Sequence, residues 1–124
     1  MYPLKILVID DDPDQVEILK TIVTAEGRQV ETCTEGKAAF DLIHKEKFDL
    51  VFTDILMPDI DGVQIMKEIK KTSPETEVVP VTAFGDWGIY AETLKLGAKE
   101  FINKPFRISE IQGVVARVAS SKTK

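Results

Sequence analysis

Two periods of apolar and polar positions alternate along this chain. Short apolar runs rich in β-branched residues recur near Lys5–Ile9, Gln29–Cys33, Asp49–Thr53, Val78–Thr82 and Glu100–Asn103, the second being the weakest. Runs of this length, apolar at consecutive positions, predict strands covered on both faces, as in parallel sheets. Between them apolar residues return every three or four positions, the helical period. Val16, Leu19, Ile22 and Val23 repeat in that way behind Asp12, an N-cap, and Pro13 at the first helical position, with Gly27 as the stop. Thr34 is the expected cap of a second helix whose Ala38, Ala39, Leu42 and Ile43 face inward. A loop holding Pro58 and Gly62 leads to a third helix, about Val63 to Lys71, closed by Ser73-Pro74. A fourth helix lies between Asp86 and Leu96 and stops at Gly97, and a fifth starts near Ser109. Alternating strand and helix units predict an α/β fold with a parallel sheet, and right-handed crossovers wind helices onto both of its faces.

The chemistry sits at the ends of these strands. Ile6-Leu7-Val8-Ile9 runs into Asp10-Asp11-Asp12, and Leu50-Val51-Phe52-Thr53 runs into Asp54. In an open α/β sheet the crevice beyond the carboxyl ends of the strands is where ligands bind. Acids crowded there repel one another unless a cation is bound or protons are retained. An oxygen-only cluster suits a hard ion such as Mg2+, which takes one or two carboxylates and keeps several waters.

Composition narrows the function classes. The chain has 124 residues, 44% hydrophobic and 30% charged, which fits one soluble domain with an ordinary core. Its net charge is −5 and no basic face is visible in the sequence beyond the short Lys122-Thr123-Lys124 tail, so it lacks the Lys/Arg surface that autonomous nucleic-acid binding draws on. The first apolar run, Leu4 to Ile9, is too short and too charged for a signal peptide or a membrane span. A lone Cys33 cannot form an internal disulfide, which suits a reducing cytoplasm, and it reads as a small buried apolar residue.

Two motif matches fail on inspection. Asp10-x-Asp12-x-Asp14 imitates an EF-hand loop, but Gln15 and Thr21 replace the required Gly and Glu. Asp59-Ile60-Asp61-Gly62-Val63 imitates the nucleophile signature of haloacid-dehalogenase phosphatases, yet it follows Met57-Pro58 rather than a buried strand. It reads as a turn in which Gly62 supplies a conformation other residues resist. What remains is Asp10-Asp11, Asp54, Thr82-Ala83 and Lys104-Pro105 after four separate strands. One parallel sheet brings acids, a hydroxyl and a fixed cation to a single edge, the parts that phosphoryl transfer needs.

At these residues the chain resembles the receiver domain of two-component response regulators. The stretches that carry the resemblance are Ile6 to Asp12, Phe48 to Gly62, Val81 to Asp86 and Gly97 to Phe106, and it extends over about residues 4–119. The resemblance implies the flavodoxin-like receiver fold, a doubly wound five-stranded parallel sheet in the order 2-1-3-4-5. It implies Asp54 as the nucleophile that takes a phosphoryl group from a histidine on a sensor kinase or histidine phosphotransfer protein. Asp11 and Asp54 are then direct Mg2+ ligands together with the backbone carbonyl of Leu56, and Asp10 helps to hold the ion. Lys104 pairs with Asp54 at rest and with a phosphoryl oxygen afterwards, across a cis peptide to Pro105. Thr82 reaches for the phosphoryl oxygen, and Phe101 moves inward behind it as the second switch residue. The implied protein is a phosphorylation-activated cytoplasmic signalling switch that changes its helix 4–strand 5–helix 5 face. It is not a turnover enzyme, and a constitutive interaction module on the same fold is the alternative. Residues 1–124 are expected to be a single receiver domain with no output domain in this chain, a monomer or a phosphorylation-dependent dimer, either free-standing or a piece of a larger regulator or hybrid kinase, acting on a downstream target or output domain.

Other acids and rings have plainer readings. Asp12 and Asp14 suit a helix cap and first turn, where negative charge complements the helix dipole. His44, among Lys45, Glu46 and Lys47, reads as an exposed helix end rather than a relay histidine, and Trp87 as either a partner contact or an anchor. Two departures from the family pattern stand out. Pro80 falls inside the fourth strand, so that the strand is short or kinked there, or its missing donor points where none is needed. The Thr82 loop is accordingly expected to be shifted or more mobile. Leu56 and Phe84 place apolar groups beside the phosphorylation site, where polar residues are common, and imply a long-lived acyl phosphate.

Overall fold

The computed structural model describes residues 3–24, 28–83 and 87–122, without the side chain of Trp87. Gly27, Phe84, Asp86 and the Trp87 side chain therefore lie outside the described residues. Five strands, β1 (Lys5–Ile9), β2 (Gln29–Cys33), β3 (Leu50–Thr53), β4 (Glu77–Ala83) and β5 (Ile102–Lys104), alternate with five helices. These are α1 (Pro13–Val23), α2 (Gly36–Lys45), α3 (Gly62–Thr72), α4 (Trp87–Lys95) and α5 (Ile108–Lys122). The strands form one parallel sheet in the order β2-β1-β3-β4-β5.

The consecutive apolar positions of the central strands supply two cores at once, because neighbours on a strand face opposite ways. Leu4, Ile6 and Val8 join Leu50, Phe52, Val79 and Val81 beneath Leu19, Val23, Ile111, Val114 and Val118 of α1 and α5. Leu7, Ile9 and Val51 join the opposite layer with Ala39, Ile43, Ile65, Met66 and Ile69 of α2 and α3. Cys33 is buried in that second layer, and burial, then the charge of Glu31, pushes its thiol up to about 11. It stays a neutral apolar filler.

Several local expectations are corrected. Thr34 is not the cap of α2: the N-cap position is Glu35, whose side chain makes no capping bond. Asp59 takes that role from across the loop, accepting from the backbone N–H groups of Gly36 at 3.1 Å and Lys37 at 2.9 Å. Gly62 has no positive φ; its need for glycine is space, since a Cβ there would lie 2.5 Å from the Asp54 carbonyl oxygen and 2.8 Å from the Ile55 Cα. His44 is exposed but engaged, with Nδ1 3.0 Å from the Phe40 carbonyl and Nε2 2.6 Å from a Glu68 carboxylate oxygen, tying α2 to α3.

Strand β4 runs unbroken through Pro80, neither short nor interrupted. The Glu77 N–H donates to the Asp49 carbonyl on the β3 side. Donors alternate sides along a strand, so the position of Pro80 faces β5. There the ladder begins only at Val81 opposite Ile102. The missing donor points where no partner strand has yet started. The same fact accounts for β5 opening at Ile102 rather than at Glu100, because Pro80 offers the incoming segment no N–H.

Candidate functional site

Register carries the site. Ile9 lies opposite Thr53, and Thr53 opposite Pro80, so Asp10 and Asp54 leave the sheet side by side. Backbone bonds fix both departures, Asp10 N–H to the Cys33 carbonyl at 3.1 Å and Asp54 N–H to the Ile9 carbonyl at 2.9 Å. On the other flank Thr82 pairs with Asn103 and Ala83 with Lys104. The four strand ends named from the sequence therefore share the carboxyl edge of the sheet.

Beneath Asp54 the chain doubles back. The Gly62 N–H donates to the Ile55 carbonyl at 2.8 Å, which closes the loop and presses Gly62 against the Asp54 backbone. Asp61 then caps α3 by accepting from the Gln64 N–H at 2.9 Å. The buried Thr53 hydroxyl donates to the Asp54 carbonyl at 2.8 Å and holds the same peptide from the other side. The Asp59–Val63 stretch is thus a cap and a turn supporting Asp54, not a second nucleophile.

The side chains form a compact charged group. Carboxylate oxygens of Asp10, Asp11 and Asp54 all lie within 4.8 Å of one another, with Asp10 and Asp54 buried and Asp11 exposed. The Lys104 ammonium donates to Asp10 Oδ2 at 2.7 Å and to Asp54 Oδ2 at 3.1 Å. Asp10 Oδ1 accepts from the Asp12 N–H at 3.0 Å, and Asp54 Oδ1 from the Leu56 N–H at 3.2 Å. Asp12 itself is the N-cap of α1, accepting from the Asp14 N–H at 3.0 Å, so the outer acids are structural. Thr82 is buried at the edge, Phe101 is half-buried, and the Lys104–Pro105 peptide is cis.

Burial and charge act on Asp54 and Lys104 in opposed ways. Burial raises the pKa of Asp54 above its ordinary value, and the charge and hydrogen bond of Lys104 only partly offset this. Burial works against the charge of Lys104, but its bonds to Asp10 and Asp54 outweigh that and raise its pKa. The shorter bond from Lys104 goes to Asp10, and Asp54 keeps a longer, weaker share of the cation. Three carboxylates face one ammonium, which leaves net negative charge in a partly dry, oxygen-lined group. That donor set fits a hard divalent cation.

Three contributors were not singled out from the sequence. Asp59 acts at long range on α2, and backbone N–H groups, that of Lys37 first, hold its carboxyl below the usual range. Tyr90 of α4 stacks on Phe101, with ring centroids 4.3 Å apart and planes at 25°. Arg117 of α5 grips Glu77, the first residue of β4, and Glu100, just ahead of β5, through charged hydrogen bonds. Each is a contact between distant segments, and only the Asp59–Gly62 turn chemistry hinted at any of them.

Residues 6–116 match the response regulator receiver domain family. The chemotaxis protein CheY of Thermotoga maritima is 34% identical over 116 residues, 93% of this chain and 97% of that protein. The sporulation initiation phosphotransferase F of Bacillus subtilis is 34% identical over 119 residues, 96% of each. A probable transcriptional regulator of Guillardia theta, ycf27, is 35% identical over 114 residues, and there the chain spans only 44% of the relative. Among solved structures, a response regulator receiver domain protein from Clostridium thermocellum is similar with a TM-score of 0.87, at 29% identity and 97% coverage of each chain. The BeF3-activated DrrB receiver domain gives a TM-score of 0.86 at 29% identity, over 97% of this chain and 99% of that one. This chain belongs to the response regulator receiver domain family of two-component signal transduction.

Proposed function

We propose that this receiver domain is a phosphorylation-activated signalling switch with Asp54 as the phosphoryl acceptor. One observation carries the reading: a buried, incompletely neutralised Asp54 carboxylate stands 3.1 Å from a lysine ammonium and within a 4.8 Å group of carboxylate oxygens. An oxygen of Asp54 attacks phosphorus on a phosphohistidine of a sensor kinase or histidine phosphotransfer protein. The new P–O bond forms as the P–N bond breaks, and the leaving imidazole keeps the bonding pair and takes a proton from solvent.

Positioning and charge do most of this work. Asp10, Asp11, Asp54 and the Leu56 backbone carbonyl are the residues that hold Mg2+, which when bound neutralises charge on the transferring oxygens. Lys104 exchanges its Asp54 oxygen for a phosphoryl oxygen, and the Thr82 hydroxyl donates to another. The aspartyl phosphate adds roughly 1.5 to 2 negative charges. Phe101 then moves inward behind Thr82, and the surface of α4, β5 and α5 presents a changed face to a target or output domain. Residues 1–124 act as one cytoplasmic receiver unit, as a monomer or a phosphorylation-dependent dimer. The event occurs once per signal, not as turnover.

Intact mass after incubation with acetyl phosphate tests this. A gain of one phosphoryl group is expected with Mg2+, and none with EDTA or in Asp54→Asn. A folded wild-type protein that gains nothing would transfer the assignment to a constitutive interaction module.

A further inference from the structure

We propose that Tyr90 is a positioning residue for the switch: its ring stacks on Phe101 and holds that ring at the surface until phosphorylation. The inference rests on the phosphoryl-acceptor reading above. The rings lie 4.3 Å apart by centroid at 25°, a stacked pair, and both residues are half-buried. A Phe101 ring that turns inward behind Thr82 cannot keep that contact, so the stack belongs to the resting arrangement alone.

Among the described residues, sheet pairing and core packing hold this region loosely. Phe101 precedes Ile102, the first β5 residue in the β4 ladder, so sheet pairing does not fix it. Pro80 accounts for this, since it gives the Glu100–Phe101 segment no donor. Across residues 88–95 of α4 the one fully buried side chain is Thr93, and its hydroxyl is spent on the Tyr90 carbonyl of the same helix at 2.8 Å. By contrast, α5 buries Ile111, Val114, Val115 and Val118. The Lys67–Glu92 pair that links α3 to α4 is 3.9 Å long, with side chains 59% and 53% exposed, and contributes little. Elements with few buried apolar contacts open most readily. The aromatic stack is thus positioned to set the balance between the two packings.

The test is titration of the protein with beryllofluoride in Mg2+, followed by amide resonances and by the ring signals of labelled phenylalanine. Losing an interaction made only at rest raises the competent fraction and tightens apparent binding. Tyr90→Ala is expected to bind beryllofluoride roughly two- to tenfold more tightly than wild type, the range a stacked aromatic pair supports. Its unligated Phe101 signals should also shift toward the ligated positions. Tyr90→Phe, which keeps the ring, should stay within about twofold of wild type. Unchanged or weaker binding by Tyr90→Ala overturns the latch and leaves Asp54 as acceptor. Equal effects of Tyr90→Ala and Tyr90→Phe overturn stacking as the cause and assign the hold to the hydroxyl. If wild type and Asp54→Asn alike fail to respond, the acceptor reading falls, and the latch with it.

Discussion

Asp54 shows how one buried charge couples stability to reactivity. Its pKa is raised because burial outweighs the partial share of Lys104 that it receives. Between the ordinary value of 3.8 and the raised one, the folded state binds more protons than the unfolded chain. Stability therefore falls as pH rises through that window, and the ionised carboxylate weighs against the fold at neutral pH. Asp54→Asn fixes a neutral group in the same shape and should stabilise the metal-free protein at pH 7. The gain should fade as pH falls through that window and be gone below 3.8, which paired urea titrations across pH would measure; an equal gain at every pH would contradict the assignment. Lys104 has the opposite sign. Lys104→Gln leaves Asp10 and Asp54 facing each other without the ammonium that now bonds both. It should cost about 1–3 kcal/mol. Millimolar Mg2+ should recover part of that loss, since a ligand that binds only the folded state stabilises it.

At the scale of elements, the site depends on a loop that folds back on its own strand end. Gly62 makes this possible, because a Cβ would press into the Asp54 carbonyl oxygen at 2.5 Å and the Ile55 Cα at 2.8 Å, both backbone atoms that cannot rotate away. Gly62→Ala should cost about 2–3 kcal/mol in urea unfolding. It should also slow phosphoryl acceptance beyond what the lost folded fraction explains, because the displaced atom belongs to Asp54 itself. Normal acceptance in the folded variant would show that the loop has another way to relax. The sequence announced Gly62 as a turn but assigned it the wrong reason, since conformational freedom and lack of space look alike in one letter. The strands beneath Asp10 and Asp54 were legible because their apolar runs meet cores on both faces. Less legible were features set by distant partners. Thr34 satisfies every local rule for a cap, yet Asp59 does the capping from 23 positions beyond Gly36. The start of β5 is decided by a proline on β4, and the restraint on Phe101 by a tyrosine on α4. Local chemistry places the acids and the lysine at strand ends; only the assembled sheet reveals which oxygen receives the shorter bond.

For the whole molecule the consequence is how long a signal lasts. On the proposed reading, an acyl phosphate on Asp54 would be lost when water attacks phosphorus in line with the Asp54 oxygen, so decay would depend on what borders the mouth of the site. Leu56 stands at that border, 53% exposed, with its N–H bonded to Asp54 Oδ1 at 3.2 Å. An apolar side chain there offers no hydrogen bond to orient a water, while it covers surface that water would otherwise occupy. Phe84 follows Thr82 by two positions in sequence and lies outside the described residues. The core of the site, by contrast, is polar and closely bonded, so on the proposed reading hydrolysis would be limited at the apolar rim that Leu56 forms. The Leu56→Asn, Phe84→Glu double variant should therefore lose its phosphate faster than wild type, by roughly tenfold, which corresponds to about 1.4 kcal/mol of barrier. The measurement is the decay of the phosphorylated mass after acetyl phosphate is removed, with Mg2+ held constant. Each single variant should account for part of the change, and equal decay in all four proteins would mean that the rim does not control access. A slow wild-type decay would suit a signal whose end is set by a partner that removes the phosphate rather than by the receiver itself.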